Sequence, residues 1–592
     1  MVVEVAPLVR GLSEGVCSFQ VYAEFTSASS RGLRVFILGA TMESTVEWNA
    51  PGPGPWQQDS AHNPVSQTRI MQNLYPEGFN RGFSETFAVY GVLLDRLAMG
   101  VVNGFTYHQP QPFDLPGPEG PKDPDWIGAE FGRRVGVAAQ AFERRIWRDA
   151  IAEWDGVDKP ASIARHRELD VDLSVLDDAQ LAAHIDACAA QVTAMVYQHH
   201  RYNTHALVPV GDFLINALQW TGQPVAALLA VFDGHSPVSS VVAPEIEPAL
   251  AALRGDAEAR KILAGGGDPA DVLNRLRARL SEVGEYIDAV HFRVMEGFDV
   301  SNPTIGERPQ AIVGRLACAL NVDTDDPMKR SAAAAASLRK MVPAEHRFTF
   351  DDLLGEARLV YRLRDERGIY SEISAIGLLR LALLELGRRL EHSGRIQEAD
   401  DVLDAGLDEI RGLSIGADAA SASELHQRGI DRRNLTMEGP PRYLGDPPHP
   451  PPSSEGLPPP MARLMSSVGF MIDGILGQMQ KLEGNATTVI GIPGAQGTYE
   501  GAVRAVRSVD DLFDLEQGDV LVAPTTGEAF NSMLHLVGAI VTDHGSFASH
   551  AAIVAREMGI PAVVGTIDGT RRLAAAKRVR VDGTTGRVTI LE

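Results

Sequence analysis

The chain has 592 residues, 44 % apolar and 22 % charged, an ordinary make-up for a folded water-soluble protein and too long for one hydrophobic core. At roughly 100–200 residues per domain, three or four units are expected. The formal charge of −23 excludes nucleic acid and anionic membrane as main partners, because both need a basic surface. Cys17, Cys188 and Cys318 form no CxxC pair, which argues against a disulfide framework or structural zinc and for a reducing cytoplasm.

Residues 1–45 receive no function, with strands expected at Val16–Phe25 and Leu33–Leu38. Met1–Leu12 has no basic stretch ahead of a long apolar core, so no signal peptide is read. Residues 46–437 are expected to form a mainly helical domain. Phe87, Tyr90, Leu93, Leu94 and Leu97 recur at helical spacing within Phe83–Val102. Long amphipathic stretches follow at Ile127–Trp154, Asp178–Tyr202, Pro269–Phe292, Phe350–Arg367 and Ser371–His392. Polar residues and Pro224 break Phe213–Phe232, and the apolar run Ile376–Leu384 is short, so neither is read as a membrane span.

Residues 438–484 read as a Pro-rich linker and connecting helix. Ten prolines fall between Pro440 and Pro460, which excludes a helix or central strand there. A semi-rigid extended linker suits a domain that must travel, and a passive loop is the alternative. In 485–592, short β-rich runs (Thr488–Ile490, Asp519–Val522, Ala539–Val541, Ala562–Val564, Arg578–Val581, Val588–Ile590) surround one helix, His550–Met558, and predict a compact α/β domain.

Val541–Gly565, VTDHGSFASHAAIVAREMGIPAVVG, reads as strand, polar turn, helix, stop and strand. Ser546 or Ser549 can cap the helix, and Gly559 and Pro561 end it. His550 then lies in the first turn, where unpaired amides and the helix dipole favour an anion and disfavour imidazolium. A neutral, nucleophilic histidine there can hold a phosphoryl group in an N–P bond. The spacing alone equally allows a histidine that only packs.

The motif resembles the phosphohistidine domain of the PEP-utilising enzymes. Ser549, His550, Ala551, Ala552, Ile553, Ala555, Arg556, Glu557, Gly559, Ile560, Pro561 and Gly565 match the pattern, and Ser546 stands where a second glycine is usual. Gly491–Val506 and Gly518–Gly527 resemble that domain's opening strands, and Val581–Val588 its closing hairpin. The resemblance implies a multidomain chain: a mostly α-helical substrate-binding domain plus a C-terminal α/β swivelling domain. It implies that His550 carries the phosphoryl group, with Ser546, Ser549 and Arg556 stabilising it. Neither a PEP/pyruvate barrel after His550 nor an ATP-grasp domain is expected within this sequence, and no GxxxxGK[ST] or GxGxxG run occurs.

Trp56–Arg69, Tyr90–His108, Phe292–Pro309 and Ala357–Leu390 resemble the central domain of rifampin phosphotransferase and its relatives. The polar residues that interrupt these patches are the candidate acceptor-site groups: Asp59, His62, Arg69, His200, His205, Arg293 and Glu307. Arg69, Arg293 and Glu307 could equally be interhelical ion pairs, and Asp59 a cap. The spacing of His200 and His205 is wrong for zinc, so no metal is expected. Taken together, the resemblance implies a phenylphosphate synthase-like subunit. ATP and Mg²⁺ would be bound by a separate ATP-grasp partner, and the acceptor would be a small aromatic alcohol. The alternatives are a carrier charged by PEP, a rifamycin-type phosphotransferase and a non-catalytic ligand-binding module.

Overall fold

The computed structural model describes residues 21–24, 34–37 and 46–592, except 61, 64, 117–119, 241, 322–326, 417–419, 436–438, 448–453, 477–483, 486, 508–509, 528–529 and 531–532. The chain divides into two compact units, 1–49 and 50–592. In the first, β1 (Val21–Glu24) pairs antiparallel with β2 (Arg34–Ile37), inside the two expected strands.

The second unit is multidomain: a mainly helical body followed by a C-terminal α/β domain. Helix α1 (Arg69–Tyr90) packs on α2 (Asp178–Arg201), while α3 (Asn203–Thr221) lies against α4 (Arg347–Tyr361). After α4 come the short helix α5 (Leu363–Arg367), a π-helical turn over Gly368–Ile373, and α6 (Ser374–His392), which returns to α2. Their apolar faces share one core that includes Ile70, Phe87, Val192, Phe213, Phe350 and Leu379. No helix among the described residues is long and apolar enough to cross a membrane.

One expected helix is half a strand. Gly91 caps α1 in the left-handed conformation, and the apolar residues beyond it form β4 (Leu94–Val102). Asn103 and Gly104, both at positive φ, turn β4 into the antiparallel β5 (Phe105–Pro112). An Asn-Gly turn of this hand is the strongest local hairpin signal, and it overrides the helical spacing of Leu93, Leu94 and Leu97. β5 pairs with β3 (Pro55–Gln58), and β3 with β6 (Tyr443–Gly445).

The Pro-rich stretch is therefore tied to the helical body on both sides. β6 completes this four-stranded sheet, and α7 (Pro459–Leu476) packs against α3. Pro459 and Pro460 open α7, where a missing N–H costs nothing. Arg463 on α7 pairs with the buried Asp212 at 2.5 Å. The core of the expected linker, PPHPPPS, lies largely outside the described residues.

The C-terminal domain is an eight-stranded sheet in the order β7-β14-β13-β9-β10-β11-β12-β8: β7 (Thr488–Ile490), β8 (Ile492–Ala495), β9 (Thr498–Ala505), β10 (Asp519–Ala523), β11 (Val537–Thr542), β12 (Ala562–Val564), β13 (Arg578–Asp582) and β14 (Arg587–Ile590). Strands β9 to β12 run parallel and the rest antiparallel. The crossover from β11 to β12 is α8 (His550–Met558). Because β10 and β11 are parallel, the loops that follow them emerge at the same edge.

The helical body meets this domain through the loop after Phe292. That loop approaches α6 so closely that a Cβ on Gly377 would lie 1.6 Å from the Phe292 carbonyl oxygen. We predict that Gly377→Ala destabilises the chain by about 1–3 kcal/mol or more, because neither backbone can yield without repacking. Thermal denaturation measures it, and an unchanged Tm would contradict this tight packing.

Candidate active site

His550 is the first residue of α8. Strand β11 delivers the chain to this edge, and the turn 543–549 lifts it onto the helix. Asp543 fixes the turn by accepting from Thr566 Oγ1 at 3.0 Å and from the Thr570 amide at 2.9 Å. Gly545 adopts φ of 106°, and a Cβ there would collide with Ser549 Oγ at 2.7 Å, so the turn needs glycine. Neither serine caps the helix. Ser549 holds the N-cap position, but its hydroxyl donates to the Ser546 carbonyl at 2.8 Å, and no side chain fills the first turn. The amide-rich end of α8 is left for another anion, with a dipole contribution of about 0.3–1 kcal/mol.

The loop after β10 lies beside this turn, as the Asp543 and His544 amides donate to the carbonyls of Ala523 and Pro524. It brings Thr526 Oγ1 to 3.0 Å from His550 Nδ1. With Nδ1–H donating to Thr526, Nε2 carries the lone pair. That nitrogen is buried and, among the described residues, has no hydrogen-bond partner. Burial holds the imidazole pKa down to about 4, with Asp365 opposing this and Arg364 adding to it. The ring is therefore neutral and nucleophilic at physiological pH.

Arg364 and Asp365 belong to α5 of the helical body, and the α/β domain is docked upon it. The Ala548 amide donates to the Gly474 carbonyl at 3.2 Å, and the rings of Phe470 and Phe547 are 5.6 Å apart. At the far end of α8, Glu557 accepts from the Gly234 amide at 2.9 Å, and Arg330 donates to the Glu557 carbonyl at 2.9 Å. Burial pushes the Glu557 carboxyl up to about 8. Met295 and Ala311 of the helical body join the apolar core beneath α8. A narrow crevice between the two domains is lined by Tyr361, Arg364, Met471, Ala548 and Arg556, among others. Asp365 is held by the Ser236 and Ser239 hydroxyls, the latter at 2.6 Å. Among the described residues no ion pair engages Arg364, which leaves its charge for a phosphoryl oxygen.

Arg364 also looks inward, onto a cluster of buried polar groups. Asp59 lies 3.0 Å from His62 Nδ1 and 3.7 Å from His108 Nε2. Burial raises the Asp59 pKa, but His62 and His108 outweigh it and hold the group ionised. Glu372, carried inward by the π-helical turn, lies 3.0 Å from His199 Nδ1 and 3.4 Å from the Tyr75 hydroxyl. It is completely buried, which lifts its carboxyl to about 8 despite the nearby Arg367. Arg367 is itself buried and brought down to about 9. Phe79, Phe83 and Phe298 supply the apolar part, with His200 4.5 Å from Phe79 and 5.0 Å from Phe83. Arg364, which lines the crevice between the two domains, acts electrostatically on His62, His199 and His550.

Of the residues singled out in the sequence, Asp59, His62 and His200 come together here. The others do not. His205 lies 2.9 Å from the Tyr90 hydroxyl, away from the cluster. Arg293 is locked to Glu245 at 2.6 Å, and Glu307 to Arg380 at 2.8 Å while capping Thr304. Arg69 is exposed at the start of α1. On the carrier side, Ser546 and Ser549 shape the turn. Arg556 donates to the Gly494 and Phe547 carbonyls at 2.7 and 2.9 Å, with its second terminal nitrogen unpartnered. Thr526, Arg364 and Glu372 are not singled out by the sequence, whereas His199 stands beside His200 and close to His205 at the end of an expected helix. Thr526 falls in an unremarkable loop, and the segment RDERGIY reads as a charged helix face until the π-turn is seen.

Residues 515–586 match the family described as PEP-utilising enzyme, mobile domain. A rifampicin phosphotransferase of Streptomyces sviceus is 25 % identical over 397 residues, 63 % of this chain and 42 % of the relative. A chondramide synthase of Chondromyces crocatus is 29 % identical over 272 residues, 46 % of this chain and 7 % of the relative. A phosphoenolpyruvate synthase of Aeropyrum pernix is 45 % identical over 99 residues, 17 % of this chain and 12 % of the relative. In each case the match spans less than half of the relative's length.

The burial of His550 is measurable in solution. Its imidazole should stay neutral as pH falls from 8 to 5, titrating near 4. An unfolded histidine binds its proton near 6.5, so the folded state loses stability as pH falls through the interval between these values. A histidine-selective NMR titration checks this, and a His550 midpoint near 6.5 would contradict the enclosed geometry.

Proposed function

Since this chain carries a PEP-utilising enzyme mobile domain and is related to rifampicin phosphotransferase and phosphoenolpyruvate synthase, we propose that it is a phosphotransferase that carries a phosphoryl group on His550 Nε2 and delivers it to a hydroxyl group bound by the helical body. The observation that carries this reading is the docked, partnerless Nε2 at the open end of α8, facing Arg364. An incoming phosphoryl group meets unpaired amides on one side and a guanidinium on the other, the arrangement that stabilises transferring charge.

The donor is ATP, held with Mg²⁺ by a separate ATP-grasp partner, and the acceptor is a small aromatic alcohol such as a phenol or cresol. Phe79, Phe83 and Phe298 beside Asp59, His62 and Glu372 support an acceptor with an apolar ring and one reacting hydroxyl. Between charging and delivery, the α/β domain leaves the helical body and returns. Both ends of the Pro-rich stretch, β6 and α7, pack on that body.

With ATP, Mg²⁺ and the partner, the chain should acquire an acid-labile, base-stable phosphate that His550→Ala abolishes. Discharge should favour cresol over a sugar and over a rifamycin. Label that persists in His550→Ala would refute the carrier role. Preference for the rifamycin or the sugar would refute the phenol, and charging by PEP in place of ATP would refute the donor.

A further inference from the structure

A phenolic hydroxyl has a pKa of about 10 and is a poor nucleophile at neutral pH unless its proton is removed as it attacks. Six carboxyl and imidazole groups described in the acceptor cluster are candidates for that role, and their surroundings separate them. Glu372 is fully enclosed, and with its carboxyl lifted to about 8 it holds its own proton. His108 is wedged against Asp59 and stacked on Phe79 at 4.8 Å, with 9 % of its side chain accessible. His199 lies against Glu372 with 13 % accessible. His200 is sandwiched by Phe79 and Phe83, its Nε2 sealed from solvent. Asp59 is 3 % accessible and committed to two imidazoles.

His62 differs from all of these. Its Nδ1 is engaged by both oxygens of Asp59, at 3.0 and 3.1 Å, and the His62 amide donates to the same carboxylate at 3.2 Å. The ring is thus fixed in orientation: although burial opposes it, the Asp59 carboxylate raises the His62 pKa, and in the neutral form Nδ1–H points at Asp59 with the Nε2 lone pair on the opposite side. Yet 42 % of the side chain remains accessible, at the mouth of the cluster and 6.2 Å from Phe298. It lies within the electrostatic reach of Arg364, which lines the crevice beside Ala548 at the start of α8.

Resting on the aryl-acceptor reading above, we propose that His62, oriented by Asp59, is the general base that takes the acceptor's proton during transfer. The acceptor oxygen attacks phosphorus as its proton passes to His62 Nε2. The O–P bond forms while the N–P bond to His550 Nε2 breaks, and its electron pair stays on that nitrogen. With Nδ1–H retained towards Thr526, His550 leaves as neutral imidazole, and the new imidazolium on His62 is stabilised by the Asp59 carboxylate. Asp59 is a positioning residue: it selects the tautomer and never meets the acceptor.

The test uses the whole chain, loaded at His550 with potassium phosphoramidate, His550→Ala providing the background. Discharge is followed to phenol and to p-nitrophenol at pH 8, where the second acceptor is already ionised and needs no base. His62→Ala should slow transfer to phenol by about 10²-fold or more, the usual contribution of a general base, and affect transfer to p-nitrophenolate far less. His62→Gln should show the same split, and Asp59→Asn a smaller one in the same direction. Equal losses for both acceptors, or no loss for phenol, would overturn the assignment of His62. Failure of the loaded wild-type chain to transfer to either phenol would instead overturn the aryl-acceptor reading, and the proposal with it.

Discussion

A single buried nitrogen organises the functional half of this molecule. Nε2 of His550 is withdrawn from water with no hydrogen-bond partner among the described residues. Leaving a polar atom in that state costs about 1–3 kcal/mol, so the surrounding structure must over-determine it. It does so from two directions. Parallel strands β10 and β11 release their loops at one edge, which puts Thr526 against Nδ1 and sets the tautomer. The docked helical body then brings the charges of Arg364 and Asp365 to bear on the buried ring. A phosphoryl group on His550, as proposed, would place an anion at an uncapped helix end, beside a guanidinium that no ion pair engages among the described residues.

The docking contact is suited to being made and broken. It uses main-chain groups, as between Ala548 and Gly474, and a few side chains, as between Arg330, Glu557 and Gly234. Apolar contacts add to it, with Phe470 against Phe547 and Met295 and Ala311 in the core beneath α8. By contrast, the acceptor cluster is built into the helical core by α1, α2 and the π-turn before α6. Its residues are held by aromatic stacking and by the Asp59 and Glu372 carboxylates. The proposed transfer by a travelling histidine would need both a receiving site of this kind and a carrier that can separate from it.

Much of the carrier domain was legible in the sequence, because its determinants are local. A polar turn, a first-turn histidine and a Gly–Pro stop define α8 within a few residues, and six β-rich runs fall on strands. The helical body was legible as helices, since amphipathic periodicity is also local. Its site was not. Asp59 and His62 meet because they are three residues apart, and they were found together. Glu372, His199 and Arg364 converge only through the packing of α2 against α5 and α6, which no spacing reveals. Arg293 and Glu307 looked catalytic because buried ion pairs and active sites draw on the same residue types. The hairpin Leu94–Pro112 was misread because helical periodicity was weighed above the Asn103–Gly104 turn.

The account stands or falls on whether the docked arrangement is the one that delivers phosphate. A side chain at Gly527 would lie 3.3 Å from the Glu296 Cα across the docking interface, so Gly527→Cys with Glu296→Cys should form a disulfide that locks it. The decisive measurement is the discharge of phospho-His550 to cresol, with the chain loaded while reduced and then oxidised. The docked geometry predicts that the locked chain discharges at a rate close to that of the reduced chain. Discharge that stops on locking and resumes on reduction would show that delivery happens elsewhere, and would contradict the account.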